Sequence, residues 1–250
     1  MKVAIAQPTY LPWLGYFDLI DQVDTFVLLD TVQFDRQSWQ QRNRIKGPSG
    51  LQWLSVPVVF RGRHDQKIKD VEIREAEFWR RHLRAVEVNY RRAPFFDIYF
   101  PQLSAILQAF PAGARLADLN LRLLRWLAEV LGVHTPLLSA SSLQMQGKRT
   151  KLLANICLTL GAGQYVSPIG SAAYLLEELE LLTDYGLDVV FQNYTHPEYQ
   201  QLFPPFVAYS STLDLIFNEG DRSMEIIRSG RGLPLSPELV TSKLAQAKEA

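Results

Sequence analysis

The sequence predicts an α/β protein of three layers, in which a mostly parallel five-stranded sheet is covered by helices on both faces. Short apolar runs of strand length alternate along the chain with longer segments that have apolar side chains at helical spacing. The strand-like runs are nearly continuous in their apolar character, which is typical of parallel strands buried on both faces. Hydrophobic residues make up 47% of the 250 residues, enough for a sizeable core.

The first strand–helix–strand unit lies between residues 3 and 29. Residues 3–6 form an apolar run closed by Pro8, and residues 25–29 form a second buried strand that ends at Asp30. Between them, residues 11–23 have helical spacing, and Pro12 is tolerated in a first helical turn. Two strands joined by a helix are expected to pair in parallel.

Two insertions are expected after the second strand. The turn signal Gly-Pro-Ser-Gly at 47–50 lies between strand-like runs and predicts a hairpin over about residues 39–60. A helical lobe follows over about residues 73–131, with helices predicted at 75–88, from Pro94 onward and at 116–131, the last capped by Gly132. Residues 60–92 are rich in Arg and Lys, which fits either a solvated helix face or a surface for an anionic ligand.

The alternation of strands and helices then resumes. Strands are predicted at 136–138, 165–167 and 187–191, and helices at 151–160 and about 172–182. Thr150 is expected to cap the first of these helices and Gly161 to close it. We therefore interpret residues 1–232 as a single α/β domain and residues 233–250, which are rich in proline and charge, as a C-terminal extension.

Composition argues against several classes of function. The 26 basic and 26 acidic residues cancel, whereas a general nucleic-acid binder needs a basic surplus. The single cysteine, Cys157, lies in an apolar helical segment and is interpreted as a buried structural thiol. The four histidines are at least eighteen residues apart, so no metal site is predicted, and no cofactor is identified. Neither a signal peptide nor a membrane span is recognisable, so we expect a cytoplasmic protein.

Polar and aromatic residues follow the first strand directly. Gln7 ends the apolar run, and Tyr10, Trp13 and Tyr16 follow in a loop that two prolines stiffen. Ligands of open α/β sheets bind outside the carboxyl ends of the strands, so these four residues are candidate substrate contacts, the rings forming an apolar wall. A well-packed loop and helix start is the alternative interpretation.

A second polar stretch follows the second strand. Asp30 and Gln33 are expected at the same edge as the first stretch, and Trp39 lies nearby in the chain. Arg42 and Asn43 open the predicted hairpin, where an arginine can bind a carboxylate or phosphate through its planar fork. A plain surface loop is the alternative interpretation of this stretch.

Two further strand ends carry candidate residues. His196 follows the fifth strand and is the best general acid or base by location, although it could equally be a turn residue before Pro197. Lys148 and Lys151 begin a helix after a strand, a position that favours anions.

With these stretches the sequence resembles the WbqC-like family over nearly its whole length. The shared motif residues are Gln7, Pro8, Tyr10–Trp13, Gly15, Tyr16, Asp30, Val32–Phe34, Trp39, Arg42, Asn43, His196, Tyr199, Gln201, Ser211, Asp214, Phe217, Asn218 and Gly220. The resemblance implies a transferase that attaches an aminoacyl group, such as glycyl, or an acyl group to an amino sugar in O-antigen or other surface polysaccharide biosynthesis. The expected substrate is a small molecule or nucleotide-sugar.

The resemblance also bears on the roles of residues. His196 is expected to act as a base on the attacking amine, and Arg42, Lys148 and Lys151 to hold phosphate or carboxylate. The motif further implies that Tyr199 and Gln201 contact the substrate.

A second likeness concerns the fold alone. Residues 3–29 are similar to the opening of Rossmann-like nucleotidylyltransferases of the HxGH type, with Trp13 and Tyr16 at the positions of the two histidines. One alternative function is therefore a nucleotidylyltransferase-like or adenylate-forming enzyme that lacks those histidines. Another is a non-catalytic protein that binds a sugar or nucleotide as the partner of a biosynthetic enzyme.

Overall fold

The computed structural model describes residues 1–249, with side chains through residue 246, so Ala250 of the predicted extension lies outside the described residues. The strands are β1 (Lys2–Ala6), β2 (Thr25–Leu28), β3 (Arg42–Gly47), β4 (Gly50–Ser55), β5 (Leu137–Ser139), β6 (Gln164–Ser167) and β7 (Asp188–Phe191). The helices are α1 (Leu14–Asp21), α2 (Phe78–Tyr90), α3 (Phe96–Gln108), α4 (Leu116–Val130), α5 (Arg149–Thr159), α6 (Ala172–Glu177), α7 (Glu180–Thr183), α8 (Thr212–Glu219), α9 (Ser223–Ser229) and α10 (Pro237–Glu249).

The central sheet confirms the predicted fold class. Its five strands run in the order β5-β2-β1-β6-β7, and all neighbouring pairs are parallel. The chain moves outward from β1 to β2 and β5, then returns to the other side of β1 to form β6 and β7. The reversal leaves a crevice between β1 and β6 at the carboxyl edge, the switch point at which open α/β sheets bind ligands.

Alternate side chains of the strands enter two separate apolar cores, one on each face of the sheet. Ala4, Phe26 and Leu28 pack into a core with α1, the helical lobe, α8 and α9. Val3 and Val27 pack into the opposite core with α5, α6, α7 and α10. Because both faces are covered, the strands need apolar residues at successive positions, which is why they read as continuous apolar runs.

The predicted hairpin and helical lobe are both present. β3 and β4 form a separate antiparallel pair that turns between Gly47 and Gly50. Ile45 and Leu54 of this pair are buried in the same core as the lobe helices. The hairpin is thereby joined to the lobe and to α8.

Several element boundaries differ from the prediction. Pro12 lies before α1 rather than in its first turn, because the N-cap residue Trp13 is extended (φ −80°, ψ 169°) and the helix begins at Leu14. Thr150 lies inside α5, whose N-cap residue is Lys148, so the predicted Thr150 cap is wrong. The helix expected over 172–182 is two short helices, because Glu178 departs from helical dihedral angles (φ −116°, ψ 19°).

The segment after residue 232 packs against the sheet domain. The N–H of Leu235 donates to the carbonyl of Phe191, and the N–H of Phe191 donates back to Leu235, both at 2.9 Å. Val240 of α10 is buried in the second core. Among the residues described, none of the helices combines the length and the apolar character needed to cross a membrane.

A buried histidine makes the stability of the lobe depend on pH. Tyr10 donates its hydroxyl to Nδ1 of His82 (2.7 Å), and Nε2 of His82 faces the carbonyl of Ser55 (3.1 Å). A carbonyl can only accept, so Nε2 carries a proton, and in the neutral imidazole Nδ1 then accepts from Tyr10. Burial lowers the pKa of His82 to about 4.

We predict that His82 destabilises the fold in acid. Its folded pKa lies below its unfolded value, so its contribution is complete above about pH 6.5 and is lost as the pH falls toward 4. Between pH 7 and pH 5 the free energy of unfolding should fall by about 2 kcal/mol more in the unaltered protein than in His82→Gln. Urea denaturation at both pH values measures this difference, and parallel losses in the two proteins would contradict the assignment.

Candidate functional site

A cavity of about 450 Å³ occupies the switch point between β1 and β6. We refer to it as the switch-point cleft. Its walls come from the ends of β1, β2 and β6, from residues 38–40, from α5 and from α6; the residues are Ile5, Ala6, Gln7, Thr9, Tyr16, Leu29, Ser38, Trp39, Gln40, Leu153, Pro168, Gly170, Ser171 and Tyr174. Its position is the one that the strand order predicts for a ligand site.

The polar groups of the switch-point cleft are amides and hydroxyls. Gln40 donates its side-chain amide to Oε1 of Gln7 (2.7 Å), and Tyr16 donates its hydroxyl to the backbone carbonyl of Gln7 (2.9 Å). Because Oε1 of Gln7 is occupied, the amide NH₂ of this exposed side chain remains as a donor for a ligand. No acidic or basic residue is among the described residues that line the cleft.

A second cavity of about 260 Å³, the aromatic pocket, adjoins the cleft and shares Thr9 and Trp39 with it. Its remaining walls are Trp13, Asn43, Arg44 and Tyr209. The guanidinium carbon of Arg44 lies 5.3 Å from the ring centre of Trp39, and its Nε is buried without a hydrogen-bond partner among the described residues. The aromatic pocket thus combines flat apolar surfaces with one cation.

Asn43 determines the shape of the loop that separates the two cavities. Its side-chain amide donates to the carbonyls of Tyr10 (3.1 Å) and Leu11 (2.8 Å), and the N–H of Tyr10 donates to the carbonyl of Trp39 (2.9 Å). These bonds hold Leu11 in its left-handed conformation, which is unfavourable for a leucine. Asn43 therefore acts here through the backbone of residues 10 and 11.

Gly15 allows Trp13 to form the floor of the aromatic pocket. The indole of Trp13 packs directly on the backbone of Gly15, and a Cβ at that position would overlap the ring. The spacing of tryptophan and glycine in the motif therefore has a packing reason.

His196 lies behind Trp13, inside a cluster of aromatic rings. Its ring is stacked near that of Trp13 (centroids 6.2 Å apart) and meets the ring of Tyr209 edge-on (5.1 Å). Nδ1 lies 2.9 Å from the carbonyl of Pro197, which can only accept, so Nδ1 carries the proton. Nε2 is buried without a hydrogen-bond partner among the described residues, and burial lowers the pKa of the ring.

Tyr199 and Gln201 lie in a buried polar network that is centred on Asp214. The carboxylate of Asp214 accepts from the hydroxyls of Tyr90 (2.8 Å) and Tyr199 (2.7 Å) and from the amide of Gln201 (2.9 Å). Burial raises the pKa of Asp214, while the three donors act in the opposite direction. The network joins α2 to α8, and the structure places both predicted contacts there rather than along either cavity.

The remaining candidates lie outside the two cavities. Asp30 accepts from the backbone N–H (2.8 Å) and the hydroxyl (2.5 Å) of Ser141, so it joins the end of β2 to the segment after β5. Gln33 donates to the carbonyl of His64 (3.1 Å). Lys148 and Lys151 are exposed at the start of α5.

Of the other two candidates, Tyr10 is fully buried against His82. Arg42 lies over Trp53 and faces a third cavity.

Cys157 is buried as predicted, and burial raises the pKa of its thiol to about 12. Within the described residues there is no group of three His, Cys, Asp or Glu side chains placed to hold a metal ion.

Sequence reasoning brought Gln7, Trp13, Tyr16, Trp39 and Asn43 to the cavities but missed other lining residues. The polar and aromatic lining residues that it did not select are Thr9, Ser38, Gln40, Arg44, Ser171, Tyr174 and Tyr209. The sequence did contain an indication of Arg44, since this residue lies two positions after Arg42 on β3 and so shares a face of the strand with it.

The sequence contained no comparable indication that Tyr209 lines the aromatic pocket, because Tyr209 is distant in sequence from the other lining residues. It is exposed and has a left-handed backbone (φ 61°). Only the folded chain brings it beside Trp13, with ring centroids 5.4 Å apart.

The chain matches the WbqC-like protein family over residues 7–226. The matched range contains every residue that lines the aromatic pocket and nearly all of the switch-point cleft. The chain belongs to the WbqC-like protein family. The resemblance seen in the sequence motifs is thereby confirmed.

A relative in Mycobacterium tuberculosis is the uncharacterised protein Rv1507c. It is 36% identical over 228 residues, which cover 91% of this chain and 97% of that protein. No solved structure matches the chain. The likeness to nucleotidylyltransferases in particular therefore stays a prediction. The α/β architecture is established by the five-stranded sheet that the structure contains.

We predict that Asn43→Ala destabilises the protein and distorts the aromatic pocket. Two buried carbonyl oxygens would lose their donor, which should lower the free energy of unfolding by about 2–3 kcal/mol. Urea denaturation measures the change. Asn155→Ala is the matched control, because its amide bonds one carbonyl at a half-buried site on α5 and should cost less than about 0.5 kcal/mol. Equal losses in the two variants would contradict the role of Asn43.

Proposed function

We propose that the chain is a transferase that attaches an aminoacyl group, glycyl being the smallest, or an acyl group to an amino sugar carried by a nucleotide. The product would enter a surface polysaccharide such as O-antigen, as the resemblance of the motifs to the WbqC-like family implies. The observation that supports this most is the neutral cleft at the switch point of the sheet, whose polar groups are amides and hydroxyls.

The lining of the cleft suits a sugar. Hydroxyl and acylamino groups of a sugar exchange hydrogen bonds with neutral amides and hydroxyls. The amide of Gln7 offers N–H donors, while the hydroxyls of Ser38 and Ser171, which donate to backbone carbonyls, keep lone pairs that can accept. The volume of about 450 Å³ lies within the usual range of small-molecule sites, roughly 300–1,000 Å³.

The adjoining aromatic pocket suits the other parts of such a substrate. Trp13, Trp39 and Tyr209 present flat apolar faces on which a base or sugar ring can stack, and Arg44 supplies a cation for phosphate or carboxylate. In this proposal Lys148 and Lys151 assist from the start of α5.

The proposed reaction forms an amide. The amine nitrogen of the sugar bonds to the carbonyl carbon of an activated ester or thioester donor, and the bond from that carbon to the leaving group breaks with its electron pair. One proton leaves the amine through a base and is transferred to the leaving group. A neutral base with a pKa near or below 7 can accept such a proton.

His196 is the proposed base. Its Nε2 carries the free lone pair, because Nδ1 is protonated and donates to Pro197. A buried acceptor nitrogen without a hydrogen-bond partner, such as this Nε2, is unusual in a folded protein. A role as the catalytic base would explain why Nε2 has no partner within the part of the chain that the structure describes. Because the rings of Trp13 and Tyr209 pack against the imidazole, we expect the exposed Tyr209 side chain to move aside when substrate binds.

We expect a nucleotide-linked amino sugar to stabilise the purified protein against thermal unfolding. The panel comprises nucleotides, nucleotide-sugars and acyl or aminoacyl donors, each with and without magnesium. At about 100 times its dissociation constant a ligand should add roughly 2.7 kcal/mol. The shift should be smaller in Arg44→Gln and in Gln7→Ala and unchanged in Arg125→Gln, an exposed arginine on α4.

Other outcomes of this experiment separate the alternatives. A shift only with nucleoside triphosphate and magnesium would favour a nucleotidylyltransferase-like or adenylate-forming enzyme. A shift with the nucleotide-sugar but no product with any donor would favour a non-catalytic binding partner.

We predict that His196→Gln loses most of the turnover while keeping its fold. Removal of a general base should lower kcat by about 10²–10⁴, measured as the mass gain of the amino sugar by mass spectrometry. His134→Gln is the control, since His134 is exposed. A folded His196→Gln protein with full turnover would exclude His196 as the base.

A further inference from the structure

Three arginines surround a third cavity, of about 220 Å³, that shares no lining residue with the other two. We refer to it as the arginine pocket. Arg36, Arg42 and Arg74 line it together with Gln41 and Phe60. It lies at the start of the hairpin, where Arg42 begins β3. Arg74 follows Ile73, which forms an isolated antiparallel β-bridge with Val58.

The charge of the arginine pocket is not neutralised by the protein. No carboxylate is among its described lining residues. Arg74 pairs with Glu75 at 2.7 Å, but the guanidinium groups of Arg36 and Arg42 have neither an ion pair nor a hydrogen bond within residues 1–246. By contrast, Arg80 of the nearby helix α2 is paired with Glu77 at 2.7 Å. Two cations are thus free to bind a ligand.

Aromatic rings hold both free guanidinium groups in place. The guanidinium carbon of Arg36 lies 3.8 Å from the ring centre of Phe60, and that of Arg42 lies 4.3 Å from the ring centre of Trp53. Cation–π contacts of this kind fix the plane of the group but leave its edge N–H donors available. Less entropy is then lost when a ligand accepts from those donors.

The segment that carries Arg36 is also ordered by hydrogen bonds. Gln41 is buried, accepts from the N–H of Gln37 (3.2 Å) and donates to the carbonyl of Val56 (3.3 Å). Gln37 is held in a left-handed conformation (φ 62°), which is uncommon for a residue other than glycine. These bonds order the turn, and Arg36 within it lines the same cavity as Arg42.

We infer that the arginine pocket binds the phosphate of a small molecule, as a phosphate dianion or a diphosphate. Two free guanidinium groups and a third that is partly neutralised match a dianion better than a single carboxylate. Planar guanidinium forks also match the oxygens of phosphate in pairs. This inference does not depend on the transferase proposal, because the arginine pocket is separate from the switch-point cleft.

Isothermal titration with inorganic pyrophosphate at low ionic strength tests the site. We expect the double variant Arg36→Gln and Arg42→Gln to bind pyrophosphate at least about 10-fold more weakly than the unaltered protein. Arg80→Gln, on α2, is the control and should bind within about 2-fold of it, and Arg44→Gln, in the aromatic pocket, is titrated beside it. Unfolding midpoints of all variants show that each is folded, which is expected because Arg36 and Arg80 are exposed.

The comparison of variants separates this inference from the proposed function. Loss of pyrophosphate binding in Arg44→Gln, with retention in the double variant, would overturn the arginine pocket and leave the transferase proposal intact. Equal losses in the double variant and Arg80→Gln would also overturn it, since binding would then reflect diffuse charge. No binding by the unaltered protein would overturn it directly.

Two further arms define what the pocket binds. The double variant Arg36→Lys and Arg42→Lys keeps the charge but lacks the planar guanidinium groups, so we expect it to bind pyrophosphate several-fold more weakly. Binding equal to that of the unaltered protein would overturn the inference of a specific phosphate site. Uridine diphosphate, titrated in parallel, distinguishes a nucleotide from a free phosphate. Binding of both ligands, lost together in the Gln double variant, supports the inference.

Discussion

Both cavities at the carboxyl edge of the sheet depend on the two hydrogen bonds that Asn43 donates to the carbonyls of Tyr10 and Leu11. The hairpin begins at β3, far from β1 in sequence, and this contact fixes it against the loop that follows β1. The bonds also stabilise the left-handed backbone of Leu11, three residues before α1 begins at Leu14. Trp13 then lies across Gly15, and the floor of the aromatic pocket is complete.

Neutral and charged groups are segregated around this edge. The polar groups of the switch-point cleft are amides and hydroxyls, whereas Arg44 lies in the aromatic pocket and Arg36 and Arg42 lie in the arginine pocket. Trp53 is the physical link between the last two, because the guanidinium groups of Arg42 and Arg44 lie 4.3 and 5.4 Å from the centre of its ring. Alternation along β3 places both arginines on the same face of the strand.

Many residues of the family motif serve the fold rather than a cavity. Tyr199 and Gln201 satisfy the buried carboxylate of Asp214, and Asp30 accepts two hydrogen bonds from Ser141. Gly220 has a similarly structural reason, since a Cβ there would overlap the ring of Phe95. In a sequence, a polar side chain that bonds a buried partner looks the same as one that faces a ligand. Separating the two requires knowing the partner, which is often more than ten residues away.

The sequence by itself determined the layers, the five-stranded sheet, the hairpin and the helical lobe, because these follow from local periodicity and turn chemistry. It also placed Gln7, Trp13 and Tyr16 at the carboxyl edge of the sheet, since they follow a strand end directly. Only the tertiary structure decided that Arg44 and Tyr209 join that edge and that Asp30, Tyr199 and Gln201 turn away from it. The physical reason is that burial and hydrogen-bond pairing are set by contacts between distant segments, which local pattern does not encode.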